Sequence, residues 1–265
     1  MVRVISFVSV KGGVGKTTIS LEVAISLAND FGKRVLLIDG NISSPNVALY
    51  LDLTHKNSLQ DLLKGESFQR TVYESYGVDV IPAALDHYDQ TDIFRLKRII
   101  EKIKNKYDYI IIDSSPHYSE MIPIVAASEM IFVVTTPDKV TLATSLKAAH
   151  LARSQGTPIE GIIINRSKNI PYEMSCNEIE WASSLPVVAR IPEEKKIIEC
   201  IFYKQPLLIK EPKSKAAKEI RNFAKALVGE PETTNWFIRK FLKNREAFLR
   251  REQVNREILR RKFMY

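Results

Sequence analysis

Residues 9–18 read Ser-Val-Lys-Gly-Gly-Val-Gly-Lys-Thr-Thr, and they lie where an apolar, β-branched run (2–10) gives way to a helical apolar spacing (17–31). A strand, a glycine turn, Lys16-Thr17-Thr18 and then a helix is a layout that binds phosphate. Glycines let backbone N–H groups converge on phosphate oxygens, and the helix N-terminus adds the positive end of its dipole. Lys16 would reach β- and γ-phosphates, and the Thr17 hydroxyl would ligate Mg²⁺. The common pattern G-x-x-x-x-G-K-[ST] is incomplete, because Val10 stands at its first glycine, and an additional lysine, Lys11, precedes Gly12-Gly13. The rival chemistry is a dinucleotide fingerprint. Gly13-Val14-Gly15 opens one, but Thr18 holds the third glycine position and a Lys-Thr pair has no task there.

Two acids complete the set. Asp39 ends the apolar run 35–39 and Asp113 ends the run 109–113. Both should therefore stand at the carboxyl edge of a parallel sheet, where open α/β folds bind ligands. Mg²⁺ held with phosphates recruits one or two carboxylates, often through water. An acid at a strand tip can equally cap the next helix; the neighbouring phosphate loop is what points these two toward metal.

The elements that must position these residues alternate strand and helix. After the helix at 17–31, which ends at Gly32, come a strand at 35–39 and short helices near 45–51 and 58–64. Strands at 78–82, 109–113, 130–135, 159–165 and 187–191 are separated by helices at 92–105, 118–128, 139–154 and a short one in a polar loop. Helices near 194–202 and over 213–228 close the series. Short continuous apolar runs are what buried parallel strands require. The prediction is an α/β fold: a doubly wound, mostly parallel sheet flanked by helices. Gly229-Glu230-Pro231 punctuates the chain, dividing a body, 1–230, from a basic amphipathic helical tail, 231–265.

Charge follows the same division. The 265 residues carry a net +8; the tail holds ten Lys/Arg against four acids, a net +6, leaving +2 for the body. Any argument for a polyanionic partner therefore belongs to the tail. Cys176 and Cys200 are far apart, which excludes a Cys-x-x-Cys metal motif and fits a reducing cytoplasm. Four scattered histidines give no zinc spacing, no apolar run is long enough to span a bilayer, and no signal-peptide layout opens the chain.

At Lys11–Thr18, Val35-Leu-Leu-Ile-Asp39-Gly-Asn41-Ile-Ser-Ser-Pro-Asn46 and Tyr109-Ile-Ile-Ile-Asp113-Ser-Ser-Pro116, the sequence resembles the MinD/ParA family of deviant Walker A P-loop ATPases. Thr135-Thr136-Pro137, Ile164-Asn165-Arg166, Ile191-Pro192-Glu193-Glu194 and Pro212–Lys215 also fall in family order, so the likeness covers about residues 1–230. The MinD-like branch is the closer match, since no DNA-binding extension precedes the loop and a basic tail follows the body. The resemblance implies an ATP- and Mg²⁺-dependent switch that forms a homodimer when ATP-bound. It places Lys11, Gly12, Gly13, Val14, Gly15, Lys16, Thr17 and Thr18 on the phosphates, with Lys11 reaching the partner's nucleotide. It places Asn165, Arg166, Ile191, Pro192 and Glu193 about the adenine, and Thr17, Asp39 and Asp113 about the metal. Lys11, Lys16, Asp39, Asn41 and Asp113 are its catalytic set.

Two departures stand out. The family usually has a second Asp where this chain has Asn41; an amide can orient water through its carbonyl oxygen but cannot accept its proton, so hydrolysis should be slow. Ser115 replaces a common proline, and His117 follows as a surface residue or a pH-sensitive one.

Three functions compete: a spatial regulator cycling on a membrane, a partitioning ATPase coating non-specific DNA, and an assembly ATPase, the last weakened by the lack of paired cysteines. A protein that stimulates turnover is implied in the first two. In the tail, Phe237, Ile238, Phe241, Leu242, Phe248 and Leu249 fall on one arc of a helical wheel over 236–251, which Trp236 opens; Arg239, Lys240, Lys243, Arg250 and Arg251 take the other side, and Arg245 alone intrudes on the apolar arc. This is the pattern of a helix lying in an anionic membrane interface, although the same face could pack on the chain's own body or grip nucleic acid. Location follows: cytoplasmic, peripheral at the inner face of the cell membrane.

Overall fold

β1 (Arg3–Val8) is apolar on both faces and buried from Val4 onward, as an interior parallel strand must be. It lies inside an eight-stranded sheet of order β3-β4-β2-β5-β1-β6-β7-β8. The computed structural model describes residues 2–85 and 92–229; the 231–265 tail, with its expected helix and its basic and aromatic residues, lies outside the described residues. The other strands are β2 (Val35–Gly40), β3 (Tyr73–Ser75), β4 (Val78–Ile81), β5 (Tyr109–Ser114), β6 (Met130–Thr135), β7 (Ile159–Ser167) and β8 (Val187–Pro192). Every pairing is parallel except β3 with β4. The expected doubly wound sheet is the observed one.

Helices cover both faces. On one side α1 (Lys16–Asn29) and α11 (Lys215–Val228) pack on alternate strand residues such as Ile5, Phe7, Leu37 and Ile111. Phe132 stacks on Phe7 at 5.9 Å and meets Phe223 of α11 edge-on at 5.0 Å, adding directional aromatic contacts to area burial. On the other side α5 (Leu96–Ile103) and α6 (Tyr118–Ala127) cover Leu36, Ile38 and Ile110, while α7 (Lys139–Ser154) and α8 (Cys176–Ser183) cover Val133 and Ile162. Serine and aspartate caps fix the helix starts: Ser175 forms a capping box with Glu178, and Asp138 and Ser214 accept N–H bonds from Thr141 and Ala217.

The differences from the pattern-based expectation are local. The helix over 92–105 is α5 with a 3₁₀ turn at each end. The short helices are α2 (Val47–Tyr50) and α3 (Leu59–Lys64), and the one near 194–202 is α9 (Lys195–Phe202). α4 (Phe68–Thr71), α10 (Leu207–Lys210) and the edge strand β3 had no counterpart in the sequence pattern; three or four residues carry no period to detect. β3 turns into β4 through Tyr76 and Gly77, both at positive φ (51° and 78°), the geometry of a two-residue type I′ hairpin without the usual Asn-Gly signal.

Candidate phosphate-binding site

Residues 9–15 connect β1 to α1 at the carboxyl edge of the sheet. Gly13 and Gly15 hold φ of 77° and 96°, a region closed to most side chains. Gly15 is also the N-cap of α1 and offers no side-chain acceptor, which leaves the first-turn N–H groups available to an anion. The loop is clasped from β7: Asn165 Nδ2 donates to Val14 O at 2.7 Å.

Beneath the loop the charged groups converge. Lys16 is buried, with Nζ donating to Lys11 O at 3.4 Å; burial lowers its pKa, and the Asp113 charge partly restores it. The Thr17 hydroxyl donates to Asp113 Oδ2 at 2.6 Å and the Ser20 hydroxyl to Oδ1 at 3.2 Å. Asp39 is the register partner of Asp113 across β2 and β5, and neither is exposed. Burial pushes both carboxyls above the usual range, and for Asp39 the neighbouring Asp113 adds to the shift. Asp39 is engaged by backbone: Oδ1 accepts from Asn41 N at 3.2 Å, and Oδ2 accepts from Asn46 N and Val47 N, each at 3.1 Å. It thus fastens the 41–47 segment and α2 to the strand tip.

A hydroxyl in contact with a buried, charge-strained carboxylate fits a hard cation that takes oxygen ligands. Among the described residues no group of three His, Cys, Asp or Glu side chains could hold a metal by itself. The arrangement therefore suits Mg²⁺ that shares its ligands with phosphate and water, not a closed protein cage.

Above these groups opens a cavity of about 720 Å³. Gly12, Gly13, Gly15, Lys16, Thr17 and Thr18 line it with Asn41, Asn165, Arg166, Ile191 and Glu193, so the structure brings together most of the residues singled out in the sequence. Val14 is buried under the loop, and Pro192 ends β8 beside Glu193, which pairs with Lys168 at 3.3 Å. Lys11 is exposed on the loop. Asn41 is buried; its Nδ2 donates to Ser44 O at 2.5 Å, while its Oδ1 has no partner among the described residues. A buried carbonyl oxygen without a donor is a costly feature, and here it belongs to a residue that lines the cavity. His117 is exposed, its N–H donating to Ser115 Oγ at 3.1 Å.

Sequence reasoning missed several members. Ser20 lies one turn beyond Thr17 on the same helix face, a signal the i, i+3 rule could have found. Tyr50 of α2 lines the cavity beside Thr18. Ile197, Ile198 and Ile201 of α9 line the cavity as well; nothing in their spacing separates a cavity wall from a core stripe.

Comparison with known proteins agrees with this geometry. A family model described as an AAA domain matches residues 2–146. An uncharacterized ATP-binding protein of Methanocaldococcus jannaschii is 31% identical over 255 residues, spanning 92% of this chain and 96% of that protein. Among solved structures, the septum site-determining protein MinD of Pyrococcus horikoshii, complexed with Mg-ADP, superposes with a TM-score of 0.81 at 29% identity. That match covers 86% of this chain and 96% of that one. A ParA family ATPase from Chlorobium tepidum gives 0.74 at 26% identity, covering 84% and 99%.

Proposed function

Because the chain belongs to the MinD/ParA-type P-loop ATPases, we propose that it binds ATP with Mg²⁺ in the cavity above the 9–18 loop, pairs with a second copy while ATP is bound, and in that state attaches to an anionic membrane surface. The observation that carries the reading is the meeting of Lys16, Thr17 and Asp113 under a glycine loop that opens α1 toward the cavity.

Each residue then has a task. Backbone N–H groups of the loop and the Lys16 ammonium bind the phosphates, the ammonium losing little on transfer because it is already desolvated. Thr17, supported by Asp113, would hold Mg²⁺, which supplies neutralisation of the charge on β- and γ-phosphoryl oxygens. Asp39 keeps the 41–47 segment against the site through its three accepted N–H bonds. The unpartnered Asn41 Oδ1 orients a water but takes no proton, so turnover is slow. Lys11, exposed on the loop, reaches the nucleotide of the second copy. Asn165, Arg166, Ile191, Pro192 and Glu193 surround the base. The protein then works at the inner face of the cytoplasmic membrane, and an activating partner protein resets it.

The tail, 231–265, with a net +6 and Trp236, Phe237, Phe241 and Phe248 at helical spacing, makes the membrane contact. One short amphipathic helix binds reversibly; two on a dimer bind far more tightly by effective concentration. Likeness to a ParA family ATPase keeps one alternative, an ATP dimer on non-specific DNA. Co-sedimentation with anionic liposomes and retention on DNA, each in ATP and ADP, separates the two. The full chain should sediment with liposomes in ATP, whereas a chain ending at Pro231 and Phe241→Glu should not. ATP-dependent retention on DNA without liposome binding would establish the alternative instead.

A further inference from the structure

Glu22 is 2% exposed, a buried acid on α1, the helix that begins at the phosphate loop and also buries Lys16, Ser20 and Ser26. Its carboxylate does not face the phosphate end. Oε1 accepts from Leu207 N at 2.6 Å and Oε2 from Leu208 N at 3.0 Å, so both oxygens are spent on consecutive backbone amides at the start of α10. Residues 203–206 link those amides to the end of α9 at Phe202. Gln205 N donates to Cys200 O at 2.9 Å and Lys204 N to Ile201 O at 3.1 Å, joining the end of α9 to the anchored turn without slack. α9 is the element that puts Ile197, Ile198 and Ile201 on the wall of the cavity that the phosphate loop also lines.

Besides this anchor, α9 is held at its start by Glu194, whose carboxylate accepts from Lys215 N at 3.3 Å and Ala216 N at 2.9 Å, and by the ion pair of Lys196 with Glu211 at 2.5 Å. Of its residues only Cys200 is buried, while Ile198 and Phe202 are 68% and 78% exposed. Burial pushes the Glu22 carboxyl up to about 7, against the pull of the two amides and the Arg221 charge. The titratable groups that act on it are Arg221 on α11, itself bound to Asp30 at 3.1 Å, and the neutral Cys200 thiol on α9, which burial and Glu22 push up. Filling a small core gap would need only an apolar side chain. A carboxylate serves here because a pair of adjacent buried N–H donors needs a two-oxygen acceptor.

We propose that Glu22 is a positioning residue for nucleotide selectivity: through the Leu207 and Leu208 amides it fixes the α9 wall at a set distance from the phosphate loop, so that the base is gripped while the phosphates are bound. The proposal rests on the reading of the cavity as a nucleotide site. It separates the cavity into a phosphate end built by α1 itself and a base wall that α1 holds at one remove.

The separation can be measured by calorimetric titration of the full chain, in Mg²⁺, with ATP and with inorganic tripolyphosphate, which has the phosphates and no base. Glu22→Ala should weaken ATP by about tenfold and leave tripolyphosphate within about twofold. Glu22→Gln, which keeps the shape and one acceptor oxygen, should fall between wild type and Glu22→Ala for ATP and carries the test alone if the alanine variant does not fold. Equal losses for the two ligands would overturn the proposal, because Glu22 would then support the fold or the loop as a whole. Unchanged ATP affinity in the glutamine variant and in a folded alanine variant would overturn it as well. If the wild type binds neither ligand, the nucleotide reading of the cavity itself falls.

Discussion

Gly15 and Asn165 approach so closely that a Cβ on Gly15 would stand 2.2 Å from Asn165 Nδ2. That nitrogen is the one donating to Val14 O, so the end of β7 and the phosphate loop are built as one interlocked piece. Gly15 therefore has two reasons to be glycine, its φ of 96° and its neighbour.

Gly15→Ala should consequently displace Asn165 and open the loop, with a stability cost of ~1–3 kcal/mol for the strained backbone and a loss of ATP binding. Gly32→Ala is the matched comparison. Its φ is 61° and nothing lies near its missing Cβ, so it should lower the melting temperature while leaving ATP affinity unchanged. Differential scanning fluorimetry with and without Mg-ATP reads both effects.

Asn41 leads to the second prediction. Its unpartnered Oδ1 belongs to a side chain that lines the cavity, and it cannot act as a base. Asn41→Asp should raise single-turnover hydrolysis and change ATP affinity by less than about tenfold. Fast hydrolysis by the wild type would show that Asn41 does not limit turnover.

Lys11 is exposed where Lys16 is buried. Lys11→Ala should keep ATP affinity within about tenfold but lose ATP-dependent dimerisation in light scattering with a non-hydrolysable analogue. Loss of nucleotide binding equal to that of Lys16→Ala would mean that Lys11 acts within its own subunit.

The fourth prediction is a pH dependence. Glu22 has a folded pKa raised from 4.5 to about 7, so the unfolded chain releases this proton first as pH rises. The stability contributed by the protonated carboxyl is fully present below pH 4.5 and is lost as pH rises through 7, with a slope of at most ~1.4 kcal/mol for each pH unit in between. Glu22→Gln removes this slope, so urea midpoints of the variant should fall less than those of the wild type between about pH 5 and pH 7.5. Parallel curves would contradict the burial of a titrating carboxyl at this position.

The strands and long helices were legible because burial on both faces forces continuous apolar runs at 35–39, 109–113 and 130–135, and the loop because Gly12–Thr18 is a local motif. What could not be read is what the fold brings together from afar. Asp39 stands at the strand tip as expected, and its bonds to the backbone N–H groups of residues 41, 46 and 47 depend on how the following loop folds back, which its residue types do not show. Glu22 meets amides 185 and 186 positions along the chain, and no spacing rule reaches so far. Tyr50 lines the cavity from a four-residue helix, too short to show which way it faces.

Everything proposed for this chain depends on Lys16, Thr17 and Asp113 serving as the phosphate end of an ATP site. Lys16 packs under the loop, and its charge acts on Asp113. The decisive measurement is calorimetric titration of Mg-ATP into the full chain and into Lys16→Ala, with both proteins melting cooperatively. Saturable binding of one ATP per chain is expected in the wild type and none in Lys16→Ala. Equal binding by the two, or no binding by a folded wild type, would refute the assignment.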